Sequence, residues 1–184
     1  MRRGFRRPLR RMLAPDVPPL LQRANQLLSA GNYVGAASAY EQLARAAESR
    51  GGPRAPLFYI QAGRCLVMAG QSATGIDQVE RGLGLFAIRG QHAKVSKVGR
   101  RIAHELTARN LKKEAQQVTD YLNELMPGFE AESAKIGFQS SMARRPLPTH
   151  CPGCGAPLRP DEVEWVDDNT AVCAYCGSPA HGDI

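Results

Sequence analysis

Several absences constrain this sequence before any motif is found. No stretch of its 184 residues comes near the ~18–20 uninterrupted apolar residues that a bilayer span needs. A secretory leader would place an apolar run behind its basic start, whereas Arg2, Arg3, Arg6, Arg7, Arg10 and Arg11 run into Pro15, Pro18 and Pro19. A soluble, cytoplasmic protein is therefore expected. Catalytic signatures are missing as well, since neither G-x-S-x-G nor H-E-x-x-H occurs. The Gly-Leu-Gly at 82–84 has no following Lys-Ser/Thr and no strand before it, so it is not a phosphate loop. His92 and His104 lie twelve apart with no Cys or carboxylate at ligand-like spacing, and read as ordinary helix residues. Cys65, among Leu66, Val67 and Met68, reads as a buried free thiol acting as a small hydrophobe. The expectation is a protein that is not an enzyme.

What is present divides by charge. Hydrophobic residues make up 43%, enough for a packed core, and the net charge is +7. Residues 1–11 hold six Arg and no acid, whereas residues 151–184 hold Arg159 against six acids. The basic arm could bind a nucleic-acid backbone by counterion release, an anionic lipid surface, or a partner protein through Phe5 and Leu9, or be a solubilising tail. The acidic C-terminal end repels phosphate, which weighs against nucleic acid at that end.

Between them the pattern is helical. Leu20, Leu21, Ala24, Leu27 and Leu28 form one apolar face that ends at Gly31, with Asp16 as candidate N-cap. Asn32 can cap a second helix, whose stripe of Tyr33, Ala36, Ala37, Tyr40, Leu43, Ala44 and Ala47 stops at Gly51 and Gly52. Further helices are predicted from Pro56 to Met68, from a Ser72 cap to Ile88, from Gln91 to Arg109, and from an Asn110 cap to just before Pro127, with a short seventh from Phe129 to Ile136. Gly31, Gly70 and Asn110 stand 39 and 40 residues apart, each between two helices, so the unit is a repeated helical hairpin. Seven before each turn come Ala24, Gly63 and Ala103, and five after come Ala36, Gly75 and Ala115, small residues that let paired helices approach closely.

These positions resemble the tetratricopeptide repeat over residues 17–127. The first unit carries Ala24, Leu27, Gly31, Tyr33, Ala36 and Tyr40 at the signature places, and the second carries Tyr59, Gly63, Leu66, Gly70, Gly75 and Gly82. The third keeps Ala103, Leu106, Ala115 and the closing Pro127, with Gly99 and Thr119 where aromatics are usual. The period exceeds the family's 34, and a plain bundle of six or seven helices is the alternative. The resemblance implies a mainly α protein, a solenoid of stacked hairpins whose concave surface receives a peptide or subunit.

The C-terminal end holds the sharpest motif. Cys151-Pro-Gly-Cys154-Gly155 and Cys173-Ala-Tyr-Cys176-Gly177 are two C-x-x-C knuckles separated by 18 residues. Without a secretory leader this spacing reads as metal binding rather than disulfides. Each trailing Gly can close its turn at positive φ. Val163, Trp165, Ala171 and Cys173 fit two short strands with Asp167-Asp168-Asn169 as the turn between them. With some 34 residues and one Trp, the module cannot fold on apolar area alone, so metal must supply the difference. Spacing and glycines together resemble a zinc ribbon over residues 149–181, which implies one structural Zn2+ held by Cys151, Cys154, Cys173 and Cys176. Four thiolates leave no open coordination position. His150 and His181 flank the site as surface residues that could donate hydrogen bonds to sulfur.

The sequence thus predicts an Arg-rich arm (1–15), a helical domain (16–136), a Pro-containing linker (137–149) and a zinc ribbon (150–184). The expected function is a non-enzymatic adaptor that binds a protein partner or joins a larger assembly, with a nucleic-acid-associated protein as the alternative.

Overall fold

Helix ends organise this fold as much as helix faces do. The computed structural model describes residues 18–127, 146–160 and 163–182. Its first stretch holds six helices, α1 (Pro19–Ser29), α2 (Tyr33–Glu48), α3 (Ala55–Met68), α4 (Ser72–Ile88), α5 (His92–Ala108) and α6 (Lys112–Leu125). Each of the five connections passes through one left-handed residue: Gly31, Gly51, Gly70, Gly90 or Asn110, with φ between 64° and 80°. At every one the same pair of hydrogen bonds closes the preceding helix. At the first, the Asn32 N–H donates to Leu27 O at 2.9 Å and the Gly31 N–H to Leu28 O at 3.1 Å. The last repeats it with Leu111 to Leu106 and Asn110 to Thr107, both at 2.9 Å. This is the Schellman closure, which favours Gly because no Cβ opposes positive φ and admits Asn next. The turns at Gly31, Gly70 and Asn110 fall where the sequence places them. Gly51 and Gly90 add the same device between hairpins, so the repeating step is a single helix of about twenty residues.

Some caps differ from expectation. Asn32 does cap α2, its Oδ1 accepting from the Gly35 N–H at 2.9 Å. Ser72 does not cap α4, because it is already the first helical residue after Gln71. Asn110 does not cap α6, because the left-handed turn claims it and Leu111 takes the cap position. The Schellman closure needs its residue one place before the next cap, which excludes both roles at once. Asp16 and the seventh helix at Phe129–Ile136 lie outside the described residues, as do the arm and most of the linker.

Successive helices pack on one another, and α4 also meets α6. The closest approach is at α3 and α4. A Cβ on Gly63 would sit 2.4 Å from Gly75 O, and one on Gly75 would sit 2.8 Å from Gly63 O. Both distances are too short for any side chain, so the small residues at these fixed positions are a packing requirement. Among the described residues no helix is long and apolar enough to cross a membrane.

The second part is a small antiparallel sheet, ordered β1 (Glu164–Trp165), β2 (Thr170–Val172), β3 (Pro179–His181). Trp165 pairs with Ala171, and Ala171 with Ala180. The Asp167–Asn169 turn closes as expected, with the Asn169 N–H donating to Asp167 Oδ1 at 2.8 Å. β3 is an addition to the two strands expected, formed where the chain leaves the second knuckle.

The two parts share a core. One hydrophobic cluster joins Leu21, Ala36, Tyr40, Phe58 and Tyr59 of α1–α3 to Cys151, Cys154, Ala171, Tyr175 and Ala180. A second cluster, Ile76, Val79, Phe86, Val95, Ile102 and Val118 among others, holds α4–α6 together with Ile60.

Candidate metal centre

The two knuckles are built alike. In the first, the Gly155 N–H donates to Cys151 O at 2.8 Å and the Cys151 N–H to Ala156 O at 2.8 Å. In the second, the Gly177 N–H donates to Cys173 O at 2.8 Å and the Cys173 N–H to Ser178 O at 2.9 Å. Both glycines have positive φ, 72° and 78°, so each chain turns back sharply enough to aim two sulfurs at one point.

All four sulfurs lie within 4.8 Å of one another, and every one of these cysteines is buried, none above 4% exposed. Cys151 Sγ to Cys176 Sγ is 3.6 Å, and Cys154 Sγ to Cys173 Sγ is 3.9 Å. A tetrahedron with Zn–S of ~2.3 Å has edges of ~3.8 Å. The spacing and the soft donor set therefore fit zinc, and these four cysteines could hold the ion. The Ser178 N–H donates to Cys176 Sγ at 3.4 Å, the kind of outer contact that holds a thiolate ligand. Sharing hydrogen bonds with Cys154 and Cys173 pulls the Cys176 thiol down from its ordinary value.

The histidines do not serve sulfur. His150 Nδ1 lies 3.1 Å from Thr149 Oγ1, and His181 Nδ1 lies 3.2 Å from Thr170 Oγ1, both exposed. Backbone N–H takes the place expected of them, because the knuckle turns point it inward. Cys65 is 1% exposed, and burial pushes its thiol up to about 12, as befits an inert core residue.

The residues that seat the module were not evident from motifs. Asn25 of α1 is buried. Its Nδ2 donates to Cys154 O at 2.5 Å, and its Oδ1 accepts from the Tyr40 hydroxyl. The Tyr175 hydroxyl, between the two cysteines of the second knuckle, donates to the buried Gln61 Oε1 of α3 at 3.3 Å. Glu105 of α5 accepts from Arg64 Nη2 at 2.7 Å on both oxygens and from Arg159, just beyond the first knuckle. Burial would raise the Glu105 carboxyl, but Arg64 and Arg159 outweigh it and hold it below the usual carboxylate value. One signal was available: Asn25 sits between Leu21, Ala24 and Leu28 on the apolar face of α1, where a polar side chain needs a buried partner.

Against protein-family models, curated proteins and solved structures the chain finds no match.

Proposed function

We propose that this chain is a non-enzymatic scaffold, in which tetratricopeptide-like hairpins and a structural zinc ribbon form one metal-stapled body that binds a partner protein. The observation that supports this reading best is the burial of four mutually close sulfurs in the same hydrophobic cluster as α1–α3. Four thiolates complete the shell of a zinc ion, leaving no position for water or substrate, so the ion's part is to hold the fold.

The same reading assigns the partner a surface. Asn25, Gln61 and Glu105 lie on α1, α3 and α5, the first helix of each hairpin, and each bonds to the C-terminal module. In a stacked-hairpin array those helices line the inner surface. On this reading the ribbon is the occupant of that surface at its N-terminal end, and a protein partner meets α2, α4 and α6 or the ribbon's outer side.

Metal analysis of chain purified without chelator should give one zinc per molecule, and a metal-free product ends the proposal. In-cell crosslinking from positions on α2 and α4 should recover a protein. The nucleic-acid reading predicts instead a mobility shift with nonspecific DNA or RNA at low salt, lost on deletion of residues 1–11. That result would replace the present one.

A further inference from the structure

Beside the first knuckle, the ribbon leaves a cavity of about 690 Å3 between α1, α3 and α5. Its volume is in the range of small-ligand sites, ~300–1,000 Å3. Leu28, Val67, Met68, Leu106 and Ala108 give it an apolar lining. The charged groups on its wall are unequal: Arg64, Arg109 and Arg159 stand against one carboxylate, Glu105. The Arg64–Glu105–Arg159 bridge ties α5 at the cavity to both α3 and the ribbon, so Arg64 and Arg159 are held in place before anything binds. Arg109 stands at the C-terminal end of α5, one turn beyond Glu105 and next to the exposed Ala108 at the mouth. None of the four metal-site thiols lines the space.

A half-open, mainly apolar cavity with an excess of positive charge around Glu105, from Arg64, Arg159 and the exposed Arg109, selects against neutral oils and against cations. We infer that this cavity binds a small organic carboxylate with an apolar body, its acid group at the Arg109 and Arg159 side and its apolar body against Val67, Met68 and Leu106. This goes beyond the scaffold reading, and needs the ribbon in place but no chemistry at the metal.

The test uses the full zinc-loaded chain. 8-Anilinonaphthalene-1-sulfonate, an anion with an apolar body, is the reporter, and decanoate and decanol are the competitors. Saturable binding of one reporter per chain is expected, with decanoate displacing it at least tenfold more effectively than decanol. Arg109→Glu should weaken decanoate at least tenfold, and Ala108→Trp, which blocks the mouth from an exposed position, should weaken both reporter and decanoate. Zinc content and near-ultraviolet circular dichroism confirm that either variant remains folded. Absence of saturable binding overturns the inference, as does equal competition by decanol. It is overturned too if Arg109→Glu lowers zinc retention while leaving decanoate binding unchanged, since the arginines would then serve only the tetrathiolate charge.

Discussion

The two hydrophobic clusters hold helices of similar length by different means. The one around α4–α6 is mainly aliphatic, built from Ile76, Val79, Leu83, Val95, Ile102, Val118 and Leu122 around the ring of Phe86. The one around α1–α3 is rich in alanine and tyrosine, with Ala24, Ala36, Ala37 and Ala44 beside Tyr40 and Tyr59. The three buried polar side chains among the described residues, Asn25, Gln61 and Ser178, all lie at the C-terminal module or bond to it. Alanines bury little apolar area each, and polar groups in a core need partners. The N-terminal helices are therefore completed by the C-terminal module, whereas the C-terminal ones complete each other.

Removing the metal should break this contrast most widely. Chelation, or Cys173→Ser, is expected to cost on the order of 5 kcal/mol or more where the site contributes to folding. Hydrogen exchange should show protection lost in residues 150–181 and in α1–α3, with α4–α6 retained. Equal loss in both clusters would mean that they are one cooperative unit. Gly63→Ala attacks the seam between the clusters, because its Cβ would lie 2.4 Å from the Gly75 carbonyl oxygen. About 3 kcal/mol of destabilisation is expected from urea unfolding, since a backbone atom cannot step aside.

Asn25→Ala should cost about 2 kcal/mol and weaken zinc retention, because it strands Cys154 O and removes the acceptor of the Tyr40 hydroxyl. A chelator competition rate unchanged from the parent protein would separate Asn25 from the metal site. The smallest effect belongs to Glu105→Gln, roughly 1 kcal/mol at neutral pH for a partly exposed pair. The native Glu105 carboxyl is held below the ordinary value of 4.5, so its contribution is full above that value and fades as pH falls through the lowered one. Urea midpoints of parent and variant should differ at pH 7 and converge as pH falls through that lowered value.

The local half of this architecture was legible in the residues. Turn glycines, the Asn32 cap, helix boundaries and the knuckles depend on interactions within a few positions, and the sequence states those directly. Ser72 and Asn110 failed as caps because two local preferences competed for one residue, and the closing of the previous helix won. At Gly90 the sequence marks only the break between Ile88 and Gln91, because Arg89 and Gln91 beside it carry no turn signal. The seating of the C-terminal module is invisible for another reason. Asn25 and Cys154 are 129 positions apart, and no periodicity links residues that meet only through tertiary packing.

That separation has a consequence for how the molecule comes into being. A chain made from its N-terminus presents α1 and α2 long before Cys154 exists, and Cys173 and Cys176 follow later still. The first hairpin then waits, its alanine-rich face uncovered, while α4–α6 already have one another. Closing so long a loop is slow, and exposed apolar surface during the delay invites association with other chains. On the zinc reading, metal supply during synthesis sets how long the earliest part of the protein remains unfinished.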